Sequence, residues 1–152
     1  IIEKSFHLII IMERKVEKFE ERIHSSGYKL TPQRRAVLDV LLKNRNHPLT
    51  PEGVYQEVKR FHPEVGLTTV YRSLELLKEI KIANHIHFHE GTDRYELDHQ
   101  RHHHYLVCLN CGRIEKKGVC LFKKMQEELK KMTNFRITEH CLTFFGYCKK
   151  CQ

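Results

Sequence analysis

The sequence predicts an α+β protein in which a mainly helical N-terminal domain precedes a smaller C-terminal domain of mixed helix and strand. Three observations support this class. Apolar residues recur at helical spacing over much of residues 13–78. Short extended segments with alternating side chains follow them. Two Cys-x-x-Cys pairs lie in the C-terminal third, where few apolar residues are available to form a core.

The first helix is predicted over about residues 13–26. Val16, Phe19 and Ile23 fall on one helical face, and Gly27 stands where a left-handed residue commonly ends a helix. Residues 1–11 contain no methionine, whereas Met12 begins a stretch typical of a natural start. We therefore expect residues 1–12 to be an N-terminal extension that is disordered or part of the first helix.

The next two helices share one start signal, a capping threonine followed by a proline at the first helical position. Thr31-Pro32 begins the second helix and Thr50-Pro51 begins the third. The apolar residues on these helices are Ala36, Val37, Val40 and Leu41 in the second, and Val54, Tyr55, Val58 and Phe61 in the third.

A fourth helix is predicted over about residues 68–78, followed by strands at about 82–88 and 93–97 that a turn at 89–92 separates. Its apolar face contains Leu67, Val70, Leu74 and Leu77, and its exposed face contains Thr68, Tyr71, Arg72 and Glu75. Helix, turn, helix and hairpin are typical of a winged-helix domain, here predicted over residues 13–97.

A polar hinge is predicted at residues 98–101, and a second domain over 102–152. Its predicted strands are residues 104–109, 113–116 and 135–147, and its amphipathic helix carries Leu121, Phe122, Met125, Leu129 and Met132. This core is too small to be stable alone, so we expect a metal ion or a dimer partner to stabilise it.

Composition and charge restrict the function classes. The longest apolar run, residues 8–12, is too short to cross a bilayer, and we expect a cytoplasmic protein. The formal net charge of +8 favours a polyanionic partner. The positive charge is not concentrated in the helical domain, because residues 29–81 carry ten basic against six acidic side chains and residues 101–152 carry eleven against four.

The exposed face of the fourth helix is the candidate DNA-contacting surface. Arg72 can pair with a phosphate or a guanine edge, and Tyr71 can touch a thymine methyl group or a phosphate. Thr68 lies on the same face, and Lys29 can reach the DNA backbone or the minor groove. The alternative is that this face is simply solvated. The helix-turn-helix context makes DNA contact about as well supported as that alternative.

The cysteine pairs, Cys108 with Cys111 and Cys148 with Cys151, predict a structural zinc site. The thiolates of each pair can reach one tetrahedral ion, and the two pairs together fill its coordination shell with sulfur. Such a site keeps no open position for a reacting water. Chance spacing and two redox dithiols are the alternatives, and the combination of both motifs in one small chain disfavours them.

Histidines concentrated around the predicted hinge indicate a regulatory metal site. The candidate ligands are His85, His87, Glu96, His102, His103, His104 and His140, the last of them predicted on the final strand. Alternate strand residues share a face, so His85 with His87, and His102 with His104, form potential pincers, while His103 points the other way towards Glu96. These donors suit iron, zinc, manganese or nickel.

These residues resemble the ferric uptake regulator family of metal-responsive repressors over nearly everything from Gly27 to Cys151. The motifs are Leu30-Thr31-Pro32-Gln33-Arg34, Leu67-Thr68-Thr69-Val70-Tyr71-Arg72, Tyr95-Glu96-Leu97, His102-His103-His104, Cys108-Leu109-Asn110-Cys111-Gly112 and Gly146-Tyr147-Cys148. The resemblance implies a homodimer that binds a palindromic DNA operator when loaded with metal, with iron as the default. It also implies that Lys29, Tyr71 and Arg72 contact DNA and that the four cysteines hold zinc.

The resemblance also implies two regulatory metal sites, both with departures from the family pattern. Glu96 and His103 match a hinge site, where Tyr105 replaces a histidine and Lys116 replaces a carboxylate unless Glu115 takes its place. The second site corresponds to His102, His104 and His140, with Lys123 in place of a helix carboxylate. His85 and His87, with His140, resemble a site of the nickel-sensing branch, and the motif at residues 30–34 resembles the peroxide-sensing branch. Zinc-, nickel- and peroxide-sensing functions therefore stay open.

Two functions of other classes compete with a repressor. A zinc hydrolase or deaminase would need an open metal position and a general acid or base, and neither HExxH nor a His-x-Glu ahead of a Cys-x-x-Cys pair occurs. A metal-buffering zinc protein would not need Tyr71 and Arg72 on a recognition helix. We therefore expect a repressor and no enzymatic activity.

Overall fold

The structure is a computed structural model that describes residues 16–45, 47–87, 91, 93–98, 103–118, 122–138, 140 and 142–152. The predicted extension at residues 1–12 and most of the predicted hinge, residues 99–101, lie outside these residues. The chain divides into two compact units, Ile1–Asp98 and His99–Gln152. Every helix in the described part of the chain is too short or too polar to span a membrane.

Helices and one hairpin form the first unit. The helices are α1 (16–25), α2 (Pro32–Lys43), α3 (Pro51–Lys59) and α4 (Leu67–Glu79). Strands β1 (Ala83–His87) and β2 (Asp93–Leu97) pair antiparallel. This order confirms the predicted winged helix, in which α4 is the recognition helix and the β1–β2 hairpin is the wing.

The end of α1 is closed by a glycine in the left-handed conformation. Gly27 has a φ of +81°, which a residue with a Cβ rarely adopts. Its N–H donates to the carbonyl of His24 over 2.9 Å, and the N–H of Tyr28 donates to the carbonyl of Ile23 over 3.1 Å. This pair of bonds satisfies carbonyls that the helix leaves open, and it confirms the predicted end.

The starts of α2 and α3 follow the threonine–proline signal. The hydroxyl of Thr31 accepts from the N–H of Arg34 over 3.3 Å, and that of Thr50 accepts from the N–H of Gly53 over 3.0 Å. Proline has no backbone N–H, and the proline after each threonine stands where such a group would have no partner within the helix. Both predicted starts are confirmed.

The core of the first unit lies among the helices and the wing. Its most deeply buried side chains include Ile23, Val37, Leu38, Leu41, Val54, Val58, Val70, Leu74, Leu77 and Ile82. The prediction that Phe61 continues the apolar face of α3 is wrong, because the helix ends at Lys59 and Phe61 is 70% exposed. The Lys43 ammonium instead lies 5.0 Å from its ring centroid. The prediction that Leu67 belongs to the apolar face of α4 is also wrong, because Leu67 is the first residue of the helix and is 37% exposed.

The second unit contains a three-stranded sheet and one helix. Its elements are β3 (His104–Cys108), β4 (Ile114–Lys117), α5 (Phe122–Met132) and β5 (Thr143–Gly146). The strand order is β4–β3–β5, in which β3 pairs antiparallel with β4 and parallel with β5. The α+β class predicted from the sequence is confirmed.

The predicted final strand over residues 135–147 is too long. Among the residues of this span that the structure describes, the strand covers Thr143–Gly146, with Tyr105 opposite Thr143 and Cys108 opposite Gly146. A strand extends only as far as its neighbour offers backbone partners, and β3 begins at His104. His140 therefore precedes the strand on which it was predicted.

Helix α5 has the predicted amphipathic spacing, but Met125, Leu129 and Met132 are not covered within the described part of the chain. Met125 and Leu129 are exposed, and Met132 is 79% exposed. Phe144 and Phe145 on β5 are exposed as well. The second unit thus leaves apolar surface on both its helix and its last strand.

Candidate DNA-binding and metal-binding sites

The recognition helix α4 presents a polar face opposite its buried face. Val70 and Leu74 are fully buried, whereas Thr68, Tyr71 and Arg72 are exposed. This is the orientation that the helical spacing predicts. The side chains predicted to contact DNA are therefore accessible to a macromolecular partner.

A hydrogen bond links the recognition helix to the first turn of α3. The Tyr71 phenol donates to Oε1 of Glu52 over 2.6 Å. This bond lowers the pKa of Glu52 and raises the pKa of Tyr71, because it favours the ionised carboxylate and the protonated phenol. Glu52 was not predicted to contact the recognition helix, because it lies 19 residues from Tyr71 in the sequence.

Lys29 lies in the segment between α1 and α2, and its side chain is exposed. The guanidinium of Arg34 donates to the backbone carbonyl of Lys29 over 2.6 Å. The same guanidinium lies 5.9 Å from the ring centroid of Tyr28. Arg34 thus holds the backbone from which Lys29 projects.

The wing carries a cluster of potential metal ligands, His85, His87 and Asp93. Oδ1 of Asp93 lies 3.1 Å from Nε2 of His85 and 2.8 Å from Nδ1 of His87. The β1–β2 register places His87 opposite Asp93 and His85 opposite Tyr95, so all three ligand side chains share one face. The predicted pincer of two histidines is present, and the carboxylate completes it.

Charge and burial fit this wing cluster to a divalent cation. Burial raises the pKa of Asp93, but the neighbouring His85 and His87 rings outweigh that effect and lower it, so the carboxylate stays ionised. One donor atom from each residue lies within 4.8 Å of the others. Two imidazole nitrogens and a carboxylate oxygen suit iron, zinc, manganese or nickel. The predicted hairpin begins its second strand at residue 93, so pairing residue 87 with residue 93 across the turn would have identified Asp93 from the sequence.

The other predicted ligands are distributed over both units. Glu96 is buried in the first unit. In the second unit, Nε2 of His103 lies 2.7 Å from the hydroxyl of Tyr105, and the rings of His104 and His140 are 5.4 Å apart. His102 lies outside the described residues. The site that combines Glu96 with His103, and the one that combines His102 with His104 and His140, stay predictions.

The register of β3 and β4 decides between Lys116 and Glu115. Lys116 lies opposite Tyr105, and its ammonium is 6.0 Å from that ring centroid. Glu115 lies opposite Leu106, on the other face, and pairs with Arg113 over 3.4 Å. The register thus places Lys116, and not Glu115, on the face of Tyr105, and a role of Glu115 as a ligand stays a prediction.

The four cysteine sulfurs converge in the second unit. Cys108 ends β3, Cys111 follows in a turn, and Cys148 and Cys151 belong to a second turn closed by a 2.7 Å backbone bond. All four Sγ atoms lie within 4.8 Å of one another, and those of Cys111 and Cys148 are 3.8 Å apart. A tetrahedral ion with sulfur ligands at about 2.3 Å requires sulfur–sulfur distances of about 3.8 Å. The arrangement therefore fits zinc.

Backbone hydrogen bonds prepare this site for a cation. Bonds from the backbone of Cys111 and of Cys148 lower the pKa of the Cys108 thiol to about 6. Hydrogen bonds with Cys148 and Cys111 raise the pKa of Cys151 to about 12. A bound divalent ion would favour the thiolate form of all four cysteines.

The fold defines a winged-helix DNA-binding protein, and the two side-chain clusters add metal-binding capacity to it. A sequence model of the ferric uptake regulator family matches residues 25–145. The ferric uptake regulation protein of Bacillus subtilis (strain 168) is 43% identical over 143 residues, which cover 92% of this chain and 96% of that protein.

Two further similarities extend this comparison. The peroxide-responsive repressor PerR of Staphylococcus aureus (strain USA300) is 28% identical over 141 residues, covering 93% of this chain and 94% of that protein. The solved structure of the Helicobacter pylori ferric uptake regulator, described as having three functional metal binding sites, matches with a TM-score of 0.77 at 26% identity. That match covers 91% of this chain and 92% of the solved chain.

This chain belongs to the ferric uptake regulator family. Members of the family are metal-responsive transcriptional repressors, which confirms the function predicted from the sequence at the level of this class. They are transcription regulators and not enzymes.

Proposed function

We propose that this chain is an iron-type repressor that binds a palindromic DNA operator through α4 when a divalent cation, Fe²⁺ by preference, occupies its regulatory site. One observation carries the proposal. The cluster of His85, His87 and Asp93 lies on the wing, which packs against the helix that exposes Tyr71 and Arg72. A cation that orders the wing would therefore act within the DNA-binding unit itself.

The choice of iron rests on similarity and on ligand chemistry. The relative that is 43% identical is named a ferric uptake regulation protein. A mixed set of imidazole and carboxylate donors accepts Fe²⁺, although it accepts Zn²⁺, Mn²⁺ and Ni²⁺ as well. We assign Cys108, Cys111, Cys148 and Cys151 to a structural Zn²⁺, because their sulfur spacing fits that ion.

The exposed apolar side chains of the second unit support a homodimer. Met125, Met132 and Phe144 would be costly to leave in water, and a second copy of the chain would cover them. A dimer presents two recognition helices, which suits a palindromic operator. An operator-binding repressor acts in the cytoplasm, where the DNA of a bacterium lies.

Gel-shift measurements test the proposal. Wild-type protein is first used to enrich duplexes from a random library in the presence of Mn²⁺, a divalent ion that resists oxidation. We expect the enriched duplex to be bound tightly with Mn²⁺ and to be released by a chelator that leaves the structural zinc in place. Binding that ignores both the chelator and the DNA sequence would contradict the proposal.

Arg72→Ala tests the reading surface. If Arg72 contacts a base, its loss should weaken binding of the enriched duplex by about 1–3 kcal/mol. Arg60→Ala is the matched control, because Arg60 is an exposed arginine at the end of α3 that pairs with Glu57 over 3.2 Å. Equal effects of the two substitutions would remove Arg72 from the DNA-reading surface.

Peroxide sensing is the second candidate function. It is favoured by the similarity to the peroxide-responsive repressor PerR over nearly the whole chain. Treatment of the Fe²⁺-loaded protein with hydrogen peroxide should then release DNA, whereas the Mn²⁺-loaded protein should keep it. If both forms keep DNA, the peroxide hypothesis is wrong and the iron-type function stands.

A further inference from the structure

The hydrogen bond between Tyr71 and Glu52 occupies the only proton that the phenol can donate. The two oxygens are 2.6 Å apart, a short distance typical of a bond to an ionised carboxylate. Both residues belong to the first unit, and both are exposed. The bond therefore lies on the surface of α4 that would face DNA.

We propose that Glu52 is a specificity-determining residue, which holds the phenolic proton of Tyr71 and so keeps Tyr71 from donating to phosphate oxygens. The inference rests on the proposed function, since it requires α4 to face DNA. While the bond to Glu52 is intact, Tyr71 offers its ring and an oxygen lone pair. Apolar contact with a base depends on the sequence, whereas a hydrogen bond to phosphate does not.

The charge of Glu52 acts on affinity, whereas its hydrogen bond to Tyr71 acts on selectivity. The partners of its carboxylate, the hydroxyls of Tyr71 and Thr50 and its own backbone N–H in the first turn of α3, carry no net charge. A carboxylate at a DNA-facing surface repels every phosphate backbone, so it weakens binding to all duplexes to a similar degree. The selectivity comes from the proton of Tyr71, because a phenol that cannot donate to phosphate gains nothing from a duplex that lacks the base contact.

Glu57 offers a matched control on the same helix. It belongs to α3, as Glu52 does, and it pairs with Arg60 over 3.2 Å. Glu57→Ala and Glu52→Ala remove the same charge from one helix, and only Glu52→Ala removes the hydrogen-bond acceptor of Tyr71. A difference between them therefore reports the position of Glu52 and not the net charge of the protein.

The experiment compares wild type, Glu52→Ala and Glu57→Ala as full-length, Mn²⁺-loaded proteins. Fluorescence anisotropy gives the Kd for the duplex enriched by wild type and for a shuffled duplex of the same composition, at several salt concentrations. In Glu52→Ala, loss of the charge should tighten binding of both duplexes about threefold, the effect of one charge a few ångströms from a phosphate in water. The freed phenol should tighten binding of the shuffled duplex further, because on the enriched duplex Tyr71 already contacts a base. The Kd for the shuffled duplex divided by the Kd for the enriched duplex should therefore fall in Glu52→Ala and keep its wild-type value in Glu57→Ala.

A double-mutant cycle tests whether the bond itself is responsible. Tyr71→Phe removes the proton and keeps the ring, so it reads the same bond from the other side. We expect the changes in the Kd ratio for Glu52→Ala and Tyr71→Phe to be non-additive in the double variant, because the freed proton that lowers the ratio in Glu52→Ala is absent when residue 71 is phenylalanine. Strictly additive changes would overturn the inference.

The outcomes separate the inference from the proposed function. If wild type fails to distinguish the enriched duplex from the shuffled one, the proposed function fails. If wild type distinguishes them and Glu52→Ala has the same Kd ratio as Glu57→Ala, only the role of Glu52 fails. Melting curves of each variant confirm that the comparison is made on folded protein.

Discussion

The phenol of Tyr95 donates a hydrogen bond of 2.5 Å to Oε1 of Glu75, and this bond joins the wing to the recognition helix. Tyr95 is buried on β2, while Glu75 lies on the exposed side of α4 and also pairs with Lys78 over 2.8 Å. The ring of His85 stacks on Tyr95 with centroids 4.8 Å apart. The side chain of Tyr95 thus contacts both His85 of the wing cluster and the helix proposed to bind DNA.

Tyr95→Phe should lower the free energy of unfolding by about 0.5–1.5 kcal/mol, the net contribution of one hydrogen bond. The ring keeps its buried contacts, so the loss reports the bond to Glu75. Urea denaturation followed by circular dichroism measures it. Tyr71→Phe is the control, because its bond to Glu52 is exposed and should contribute less. Equal losses in the two variants would contradict this account of the strand–helix bond.

The same phenol should make stability depend on alkaline pH. Burial, and then the hydrogen bond to Glu75, raise the pKa of Tyr95 above its ordinary value of 10.0. The folded state therefore keeps the proton at a pH where the unfolded chain loses it, so this contribution is full below pH 10 and is lost as the pH rises towards the folded pKa. Denaturation between about pH 8 and pH 10.5 should show the stability difference between wild type and Tyr95→Phe narrowing at the upper end. A constant difference would mean that Tyr95 does not titrate in this way.

Cys111→Ser should remove zinc from the second unit and destabilise it. A serine oxygen is a poor replacement for a thiolate ligand, and the binding energy of a structural zinc contributes directly to folding. We expect less than one zinc per chain by elemental analysis and a lower melting temperature. Cys120→Ser, which changes a cysteine outside the two Cys-x-x-Cys pairs, should retain both values. Normal zinc content in Cys111→Ser would overturn the assignment.

Asp93→Asn should weaken binding of a divalent cation to the wing. The amide keeps the size of the side chain but loses the charge that faces His85 and His87. Substitutions around metal sites commonly cost about 10–100-fold in affinity, and titration calorimetry with Mn²⁺ would measure the change. Asp39→Asn is the control, since Asp39 pairs with Arg35 on α2. An unchanged affinity in Asp93→Asn would exclude the wing as a metal site.

Much of the fold was predictable because its signals are local. The cap formed by Thr31 uses a backbone group three residues ahead, and the end of α1 depends on Gly27 and its immediate neighbours. The apolar face of α4 follows from spacing within one helix. In the same way, each Cys-x-x-Cys pair contains both of its ligands within one turn.

The candidate sites were less predictable where their members come from different elements. The histidine pincer on β1 was visible as an alternation, but Asp93 joins it through strand register. Glu52 meets Tyr71 only because α3 packs beside α4. No sequence pattern at Glu52 or at Tyr71 identifies the other residue as its partner.

The amino-acid sequence by itself determined the starts of α2 and α3, the end of α1, the buried face of the recognition helix and the pairing of cysteines within each motif, because neighbours along the chain provide these interactions. The tertiary structure alone decided the short length of β5, the exposure of Phe61 and the partner of Tyr71. Each of these depends on which backbone or side chain arrives from a distant part of the chain, and packing, not local periodicity, sets that arrangement.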